Sequence, residues 1–320
     1  MKTSVALCTY NGDRYLKEQL DSILNQTILV DEIIACDDNS TDETVIILEK
    51  YKSLHPNLIK IHQNKENLKS VKNFEKAISL CSNEIIFLSD QDDIWENEKV
   101  EKIINCFNQN PKINVIATNG CYYNGHQKDC SKISVWDIPN LLKQENRKIN
   151  YFEIISSITN IATGATMAMK KEYVKQIFPF PVYQDFHHDE WIALNASFEN
   201  YFLFLDQKLL FYRIHEDQQV GENFFKLQKK DISAFTSLYR DSDFHEYKII
   251  LKKISYNYTR KRNLLDNCTF NERARKLLEN AMEVDKQTYF EIKKKMRILH
   301  PFNYFTLYIF DKISKKRKLN

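Results

Sequence analysis

The chain has 320 residues, 43% hydrophobic and 28% charged, the balance of a soluble globular protein with room for two domains at roughly 150 residues each. Its five glycines are too few for a glycine-rich nucleotide loop: no G-x-G-x-x-G is present, and Gly120 and Gly125 have the phosphate-loop spacing but are followed by His126 instead of lysine. The net charge of +3 splits into +7 for residues 291–320 and −4 for residues 1–290, so the acidic body argues against a nucleic-acid binder and the basicity belongs to the tail.

Seven cysteines without a C-x-x-C read as reduced, mostly structural thiols, which points to the cytoplasm. No signal-peptide pattern precedes the first apolar run, and the uncharged stretch 154–169 is too short and too polar to cross a bilayer.

Taken in chain order, residues 3–8 form a buried strand, and Leu16, Leu20, Ile23 and Leu24 have helical spacing. A second strand spans 30–36, and Ser40-Thr41-Asp42-Glu43 has the capping-box pattern for a following helix. Strands at 58–62, 84–89 and 113–118 alternate with helices at 71–80 and 95–107. Alternation of this kind implies crossover units, a mainly parallel sheet and helices on both faces, hence an α/β fold. Beyond residue 120 prolines interrupt the pattern, and from about 225 the chain reads as helical and charged. Two domains are expected, 1–220 and 221–320.

Three polar clusters each follow an apolar strand: Thr9-Tyr10-Asn11, Asp37-Asp38-Asn39 and Asp90-Gln91-Asp92-Asp93. In an open sheet the loops at the carboxyl ends of the strands converge on the ligand, so the three should face one crevice. Asp90 and Asp92 are two apart and point to one side of an extended chain. Like charges this close call for a cation, and Mg2+ or Mn2+ prefers such oxygens together with substrate phosphates. The alternative is that Asp92 or Asp93 caps the helix starting near Trp95. Asp37 and Asp38 could accept from a base or ribose, or serve only as a turn; Tyr10 offers a ring for stacking.

Residues 4–12, 37–42 and 88–95 together resemble, in order and spacing, the signatures of family 2 glycosyltransferases, with the closest likeness to bacterial rhamnosyltransferase-like members. The resemblance spans about residues 1–220. It implies a GT-A fold, an inverting reaction, and a nucleoside diphosphate sugar bound with Mg2+ or Mn2+. By position it makes Thr9, Tyr10, Asn11, Asp38, Lys69, Asp90 and Gln91 donor contacts, with Asp37 and Asn73 beside them. Asp90 and Asp92 become the metal pair, with Asp93 adjacent.

In His187-His188-Asp189-Glu190-Trp191 the resemblance points to Asp189 as the base that takes the acceptor hydroxyl's proton, with Glu190 as rival and His188 and Trp191 flanking. A surface turn before a helix, or a His/Asp metal site, are the plainer readings. Tyr212-Arg213-Ile214-His215 followed by Gly221 resembles a later family segment, which makes Arg213 and His215 diphosphate or metal contacts. Thr163-Gly164-Ala165 resembles a turn on the acceptor side. No Q-x-x-R-W motif of processive members is present, so a single addition is expected.

In residues 291–320 cations bracket aromatic and aliphatic residues, the pattern of a segment lying on an anionic bilayer; a helix packed on the catalytic domain would look similar. The expectation is therefore a cytoplasmic enzyme, peripheral on the inner membrane surface. It would transfer a sugar from dTDP-rhamnose, a UDP-hexose or a UDP-N-acetylhexosamine to a glycan or lipid-linked glycan of a bacterial surface polysaccharide. A sugar nucleotidyltransferase and a non-catalytic adaptor are the alternatives.

Overall fold

The structure is a computed structural model describing residues 1–144, 148–184, 186–216, 234, 241–314 and 319. The chain divides into two compact units, Met1–Lys132 with Ala162–Glu222, and Ile133–Ile161 with Asn223–Asn320. Segment 133–161 thus joins the second unit, although it lies inside the stretch that sequence assigned to the first domain.

The first unit is built on a nine-stranded mixed sheet: β1 (Thr3–Thr9), β2 (Glu32–Asp37), β3 (Ile59–Gln63), β4 (Ile85–Ser89), β5 (Ile94–Trp95), β6 (Val115–Tyr123), β7 (Lys128–Asp129), β8 (Met167–Lys170) and β9 (Phe202–Arg213). Their order is β3-β2-β1-β4-β8-β6-β9-β5, with β7 on β6. Every residue of β1, β2 and β4 is buried, as expected of strands covered on both faces. These three run parallel, with Thr9 opposite Asp37 and Leu7 opposite Ser89, so the polar clusters that follow them leave the sheet at one edge. The helices of this unit are α1 (Leu16–Leu24), α2 (Thr44–Leu54), α3 (Lys69–Leu80), α4 (Lys99–Gln109), and two later ones at Lys171–Ile177 and His188–Phe198. The α/β expectation of sheet and helices holds.

Three local expectations are corrected. Trp95 does not start a helix. Ile94 and Trp95 pair antiparallel with Phe211 and Leu210 of β9, Trp95 is buried, and α4 starts only at Lys99. The capping box at Ser40 does not form, because the Ser40 hydroxyl donates to Asp37 Oδ1 and accepts from the Asn11 N–H. The N-cap of α2 is Glu43, which makes no capping bond with its side chain, while Asp42 accepts from the Thr44 N–H at 3.0 Å. Finally, Cys121 and Cys130 form a disulfide, since the β6–β7 hairpin brings their Cα atoms to 4.5 Å. The thiol count therefore no longer argues for a reducing compartment.

The second unit contains α5 (Ile138–Gln144) ahead of a π-helical turn, Ile154–Ile158, whose residues are all buried. Numbering the pair at 171–177 and 188–198 as α6 and α7, its long helices are α8 (Phe244–Asn267), α9 (Glu272–Leu299) and α10 (Pro301–Ser314). Apolar residues at three- and four-residue spacing, Ile250, Leu251 and Ile254 on α8 and Leu277, Leu278 and Ala281 on α9, make the core. Inside it lies a fully buried ion pair, Lys261 Nζ to Asp285 Oδ2 at 2.7 Å. The Ser156 and Ser157 hydroxyls donate to Asp285 Oδ1 at 3.1 and 2.7 Å, and Lys261 also donates to the Ser156 carbonyl at 2.8 Å. This network is why segment 133–161 belongs here: its serines satisfy charges that no apolar neighbour could. Among the described residues no helix is long and apolar enough to cross a membrane. On α10, Phe302 is 88% and Phe305 64% exposed.

Breaking one partner of such a pair strands a buried charge, at about 3–5 kcal/mol. Lys261→Met should lower unfolding free energy by that amount in urea titrations, and the double variant Lys261→Met/Asp285→Leu should lose less than the sum of the two single changes.

Candidate active site

The loops at the ends of β1 and β2 are held by their own side chains. Thr9 Oγ1 donates to Asp37 Oδ1 at 2.9 Å, and Asp37 also accepts from the Ser40 N–H at 2.9 Å. Asp38, buried, accepts from Asn64 Nδ2 (2.7 Å), the Leu68 N–H (2.7 Å) and the Lys69 N–H (2.9 Å). Those bonds hold Lys69 at φ 68°, a left-handed conformation that a non-glycine residue adopts only when fixed from outside. Asn73 bridges the Cys36 carbonyl and Asn64. Asn11, also left-handed at φ 47°, accepts from the Thr41 N–H at 2.9 Å.

Gln91 reaches across to the first loop, its amide accepting from the Tyr10 N–H (2.7 Å) and donating to the Tyr10 carbonyl (2.9 Å). Gly12 makes room for it: a Cβ there would fall 2.1 Å from Gln91 Oε1. The structure thus employs Thr9, Asn11, Asp37, Asp38, Asn73 and Gln91 in shaping the crevice. The Tyr10 ring, 48% exposed, and the exposed Lys69 side chain remain open to a ligand.

The third cluster is clamped between β4 and β5. Arg213 closes the clamp from β9, its N–H donating to Asp93 Oδ1 (3.1 Å), its Nε to the Asp92 carbonyl (2.8 Å) and its Nη2 to Glu18 (2.9 Å). Its guanidinium lies 4.6 Å from the ring centroids of both Tyr15 and Tyr123. Arg213 is therefore a buried buckle of the acidic loop, where sequence reading put a diphosphate contact. His215 does meet the cluster, with Nε2 2.9 Å from Asp92 Oδ2; Gly221 lies outside the described residues. Asp93 is spent on Arg213, and the residue at the N-cap of α4 is Glu98, which makes no capping bond with its side chain, so the acidic residues are not helix caps.

Asp189 stands in the first turn of α7. Its Oδ2 accepts from the Gly164 N–H at 3.0 Å and its Oδ1 from the Glu190 N–H at 2.6 Å. His188 beside it is buried, stacked on Phe74 at 4.1 Å with neither ring nitrogen hydrogen-bonded, and burial pushes it down to about 3. A Cβ on Gly164 would lie 3.0 Å from His188 Nε2, so this glycine lets the loop approach the helix. Trp191 is a core residue, its indole N–H donating to the Ile177 carbonyl at 2.8 Å, and Glu190 is buried.

Electrostatics joins these parts. Burial first, then repulsion from Asp92 and Asp189, pushes Asp90 up to about 7. Burial, followed by Asp92 and Asp90, raises Asp93 well above the usual carboxylate range, and burial raises Asp189. The Tyr212 phenol, raised first by burial, feels Asp93, Asp90, Asp92 and Asp189 alike. Asp189 is thus brought to the acidic loop from the far half of the sequence. Among the described residues no three or more His, Cys, Asp and Glu side chains form a ready-made metal site. Two carboxylates suffice, however, for Mg2+ or Mn2+ that also takes substrate oxygens. Asp90 and Asp92 fit that role, with His215 on Asp92, and the raised Asp90 and the unbonded buried Oδ2 of Asp93 mark negative charge short of a partner.

Sequence reading missed Lys99, whose buried ammonium donates to the Ala165 carbonyl at 2.6 Å. Its signal was present: Lys99 shares the apolar helix stripe of Ile103 and Phe107, where a lysine is out of place.

The family model described as Glycosyl transferase family 2 matches residues 4–178. The dTDP-rhamnosyl transferase RfbG of Shigella flexneri is 31% identical over 240 residues, 70% of this chain and 77% of its own length. An uncharacterized glycosyltransferase of Haemophilus influenzae is 28% identical over 72% of this chain and 73% of its own. The fold is shared with S. aureus TarS in complex with UDP-GlcNAc (TM-score 0.53, 20% identity, 93% and 92% of the two chains). It is shared too with the mannosyltransferase PcManGT of Pyrobaculum calidifontis in complex with GDP-Man and Mn2+ (TM-score 0.54, 13% identity, 98% and 79%). With more than half of the chain under the family model, and the loops of that region building the crevice, this protein belongs to glycosyltransferase family 2.

Proposed function

We propose that this glycosyltransferase moves one sugar from a nucleoside diphosphate sugar to a hydroxyl of a glycan acceptor, inverting the anomeric carbon. The observation that carries the reading is that Asp189 shares one electrostatic field with Asp90, Asp92 and Asp93 although about a hundred residues separate them. Asp189 takes the acceptor's proton and that oxygen bonds to the anomeric carbon. The bond from this carbon to the diphosphate oxygen breaks, and the diphosphate leaves with the electron pair on the side of the acidic loop. Asp90 and Asp92 would hold a divalent cation, Mg2+ or Mn2+, whose charge would favour departure of the diphosphate. The Gly164 N–H holds Asp189 in place, and the surrounding burial raises its basicity above that of a surface carboxylate. The exposed Tyr10 ring offers the base a stacking face.

The donor we favour is dTDP-rhamnose, on the motif likeness and on the rhamnosyl transferase among the relatives; UDP-hexoses and UDP-N-acetylhexosamines are the alternatives. The setting is assembly of a bacterial surface polysaccharide on a lipid-linked acceptor. Family membership removes the ground for the nucleotidyltransferase and adaptor readings. Peripheral attachment to the cytoplasmic face of the membrane is supported by α10, whose exposed Phe302, Phe305 and Ile309 are flanked in sequence by Lys293, Lys294, Lys295, Arg297 and Lys312. The closing cations 315–318 lie outside the described residues.

Asp189→Asn should reduce nucleoside diphosphate release from the donor by about 10²–10⁴-fold while nucleotide affinity stays within a few-fold; unchanged turnover in a folded variant removes Asp189 from the role of base. The protein should co-sediment with vesicles containing phosphatidylglycerol and not with phosphatidylcholine alone, and Phe302→Ser/Phe305→Ser should weaken that binding. Equal recovery with both vesicle types, or no effect of the variant, contradicts the attachment through α10.

A further inference from the structure

Lys99 lies where a lysine is costly. It is fully buried at the start of α4, with Nζ 4.3 Å over the Trp95 ring, and its hydrogen bond runs to the Ala165 carbonyl, 66 residues away. Ala165 follows Gly164, whose N–H fixes the Asp189 carboxylate. On its other side Lys99 is attracted by Asp93 and Asp90 of the acidic loop. Burial pushes its ammonium down to about 7, against the pull of those two carboxylates. Packing alone does not account for a buried ammonium, because methionine would fill a similar volume without the cost of desolvating a charge.

We propose that Lys99 is a positioning residue of the transfer reaction: one ammonium ties the turn that holds Asp189 to Trp95, the residue that ends the acidic segment, and so steadies the spacing between base and leaving-group side. The inference rests on the reading of Asp189 as the base. Two elements distant in sequence meet at this side chain, β5 through the Trp95 ring and the 164–166 turn before β8 through the Ala165 carbonyl. Backbone pairing of β8 with β4, Phe87 opposite Ala168, sets the sheet spacing, and the Lys99 bond fixes the turn just ahead of it, whose own bond runs from the Thr166 N–H to the Thr163 carbonyl at 2.9 Å. A displacement of about 1 Å at a reacting group costs up to 10²-fold in rate, which is the scale on which a positioning group acts.

The test uses the full chain and measures nucleoside diphosphate release, with water as acceptor, from dTDP-rhamnose or UDP-N-acetylglucosamine in the presence of Mn2+. Lys99→Met should lower kcat by at least tenfold and leave the donor KM within threefold. Lys99→Gln, which keeps an N–H donor without the charge, should recover part of the loss. Hydrogen exchange gives a readout independent of turnover: in Lys99→Met the Gly164 amide should exchange faster while the amides of β1 and β4 do not. Wild-type kcat in Lys99→Met alongside an inactive Asp189→Asn overturns the role of Lys99 and leaves the base assignment standing. Activity in Asp189→Asn overturns the base assignment itself. Unchanged exchange at Gly164, or faster exchange throughout the sheet, also overturns the proposal, because Lys99 would then not hold that turn or would only hold the fold.

Discussion

Repulsion among the carboxylates of Asp90, Asp92, Asp93 and Asp189 is the constraint around which the first unit is arranged. Two unit charges about 4 Å apart repel by about 1 kcal/mol in water and about 4 kcal/mol at the effective dielectric of a protein surface. Gathering four such groups in a half-buried place therefore opposes folding, and burial first, then the charge of their neighbours, holds Asp90 and Asp93 above the usual carboxylate range. The chain meets it with fixed donors and cations: the Arg213 N–H on Asp93, the Gly164 N–H on Asp189, Lys99 on the neighbouring Ala165 carbonyl, and His215 on Asp92. A cation bound with substrate would relieve the remainder, so part of the opposition to folding becomes affinity for metal and diphosphate.

Rigidity of the crevice comes from the same economy. Thr9, Asp37, Asp38, Asn64 and Asn73 bind one another and the backbone, and this keeps Asn11, Asn39 and Lys69 in left-handed conformations that cost free energy. Loops prepared in this way lose little freedom when a nucleotide enters. The Tyr10 ring and the Lys69 side chain stay exposed at this crevice, and on the proposed reading they, with backbone edges, would meet the nucleotide in place of a glycine-rich phosphate loop.

Much of this was legible in the sequence, and the parts that were not share a cause. β1, β2 and β4 announce themselves as apolar runs because both faces are covered, and the polar residues behind them mark the crevice by position alone. The roles inside the crevice were less legible. Asp38 and Arg213 look like ligand contacts because their chemistry suits a ligand, yet the partners that occupy them, the Lys69 amide and Glu18, are distant in sequence. Trp95 was read as helix because its strand partner, Leu210, comes more than a hundred residues later. Segment 133–161 was assigned to the first domain by proximity in sequence, while the buried Lys261–Asp285 pair draws its serines into the second unit. Side chains that answer to non-local partners leave no local signal, with the partial exception of Lys99 on its apolar stripe.

The central claim is that the acidic loop and the Tyr10 loop form one metal-dependent nucleotide site. Calorimetric titration of the protein with dTDP and with UDP, each with and without Mn2+ and repeated on Asp92→Ala, tests it most directly. Binding of one nucleotide that requires Mn2+ and is lost in the variant is the predicted result. Binding of neither nucleotide by folded protein, or Mn2+-dependent binding that survives Asp92→Ala, would contradict it.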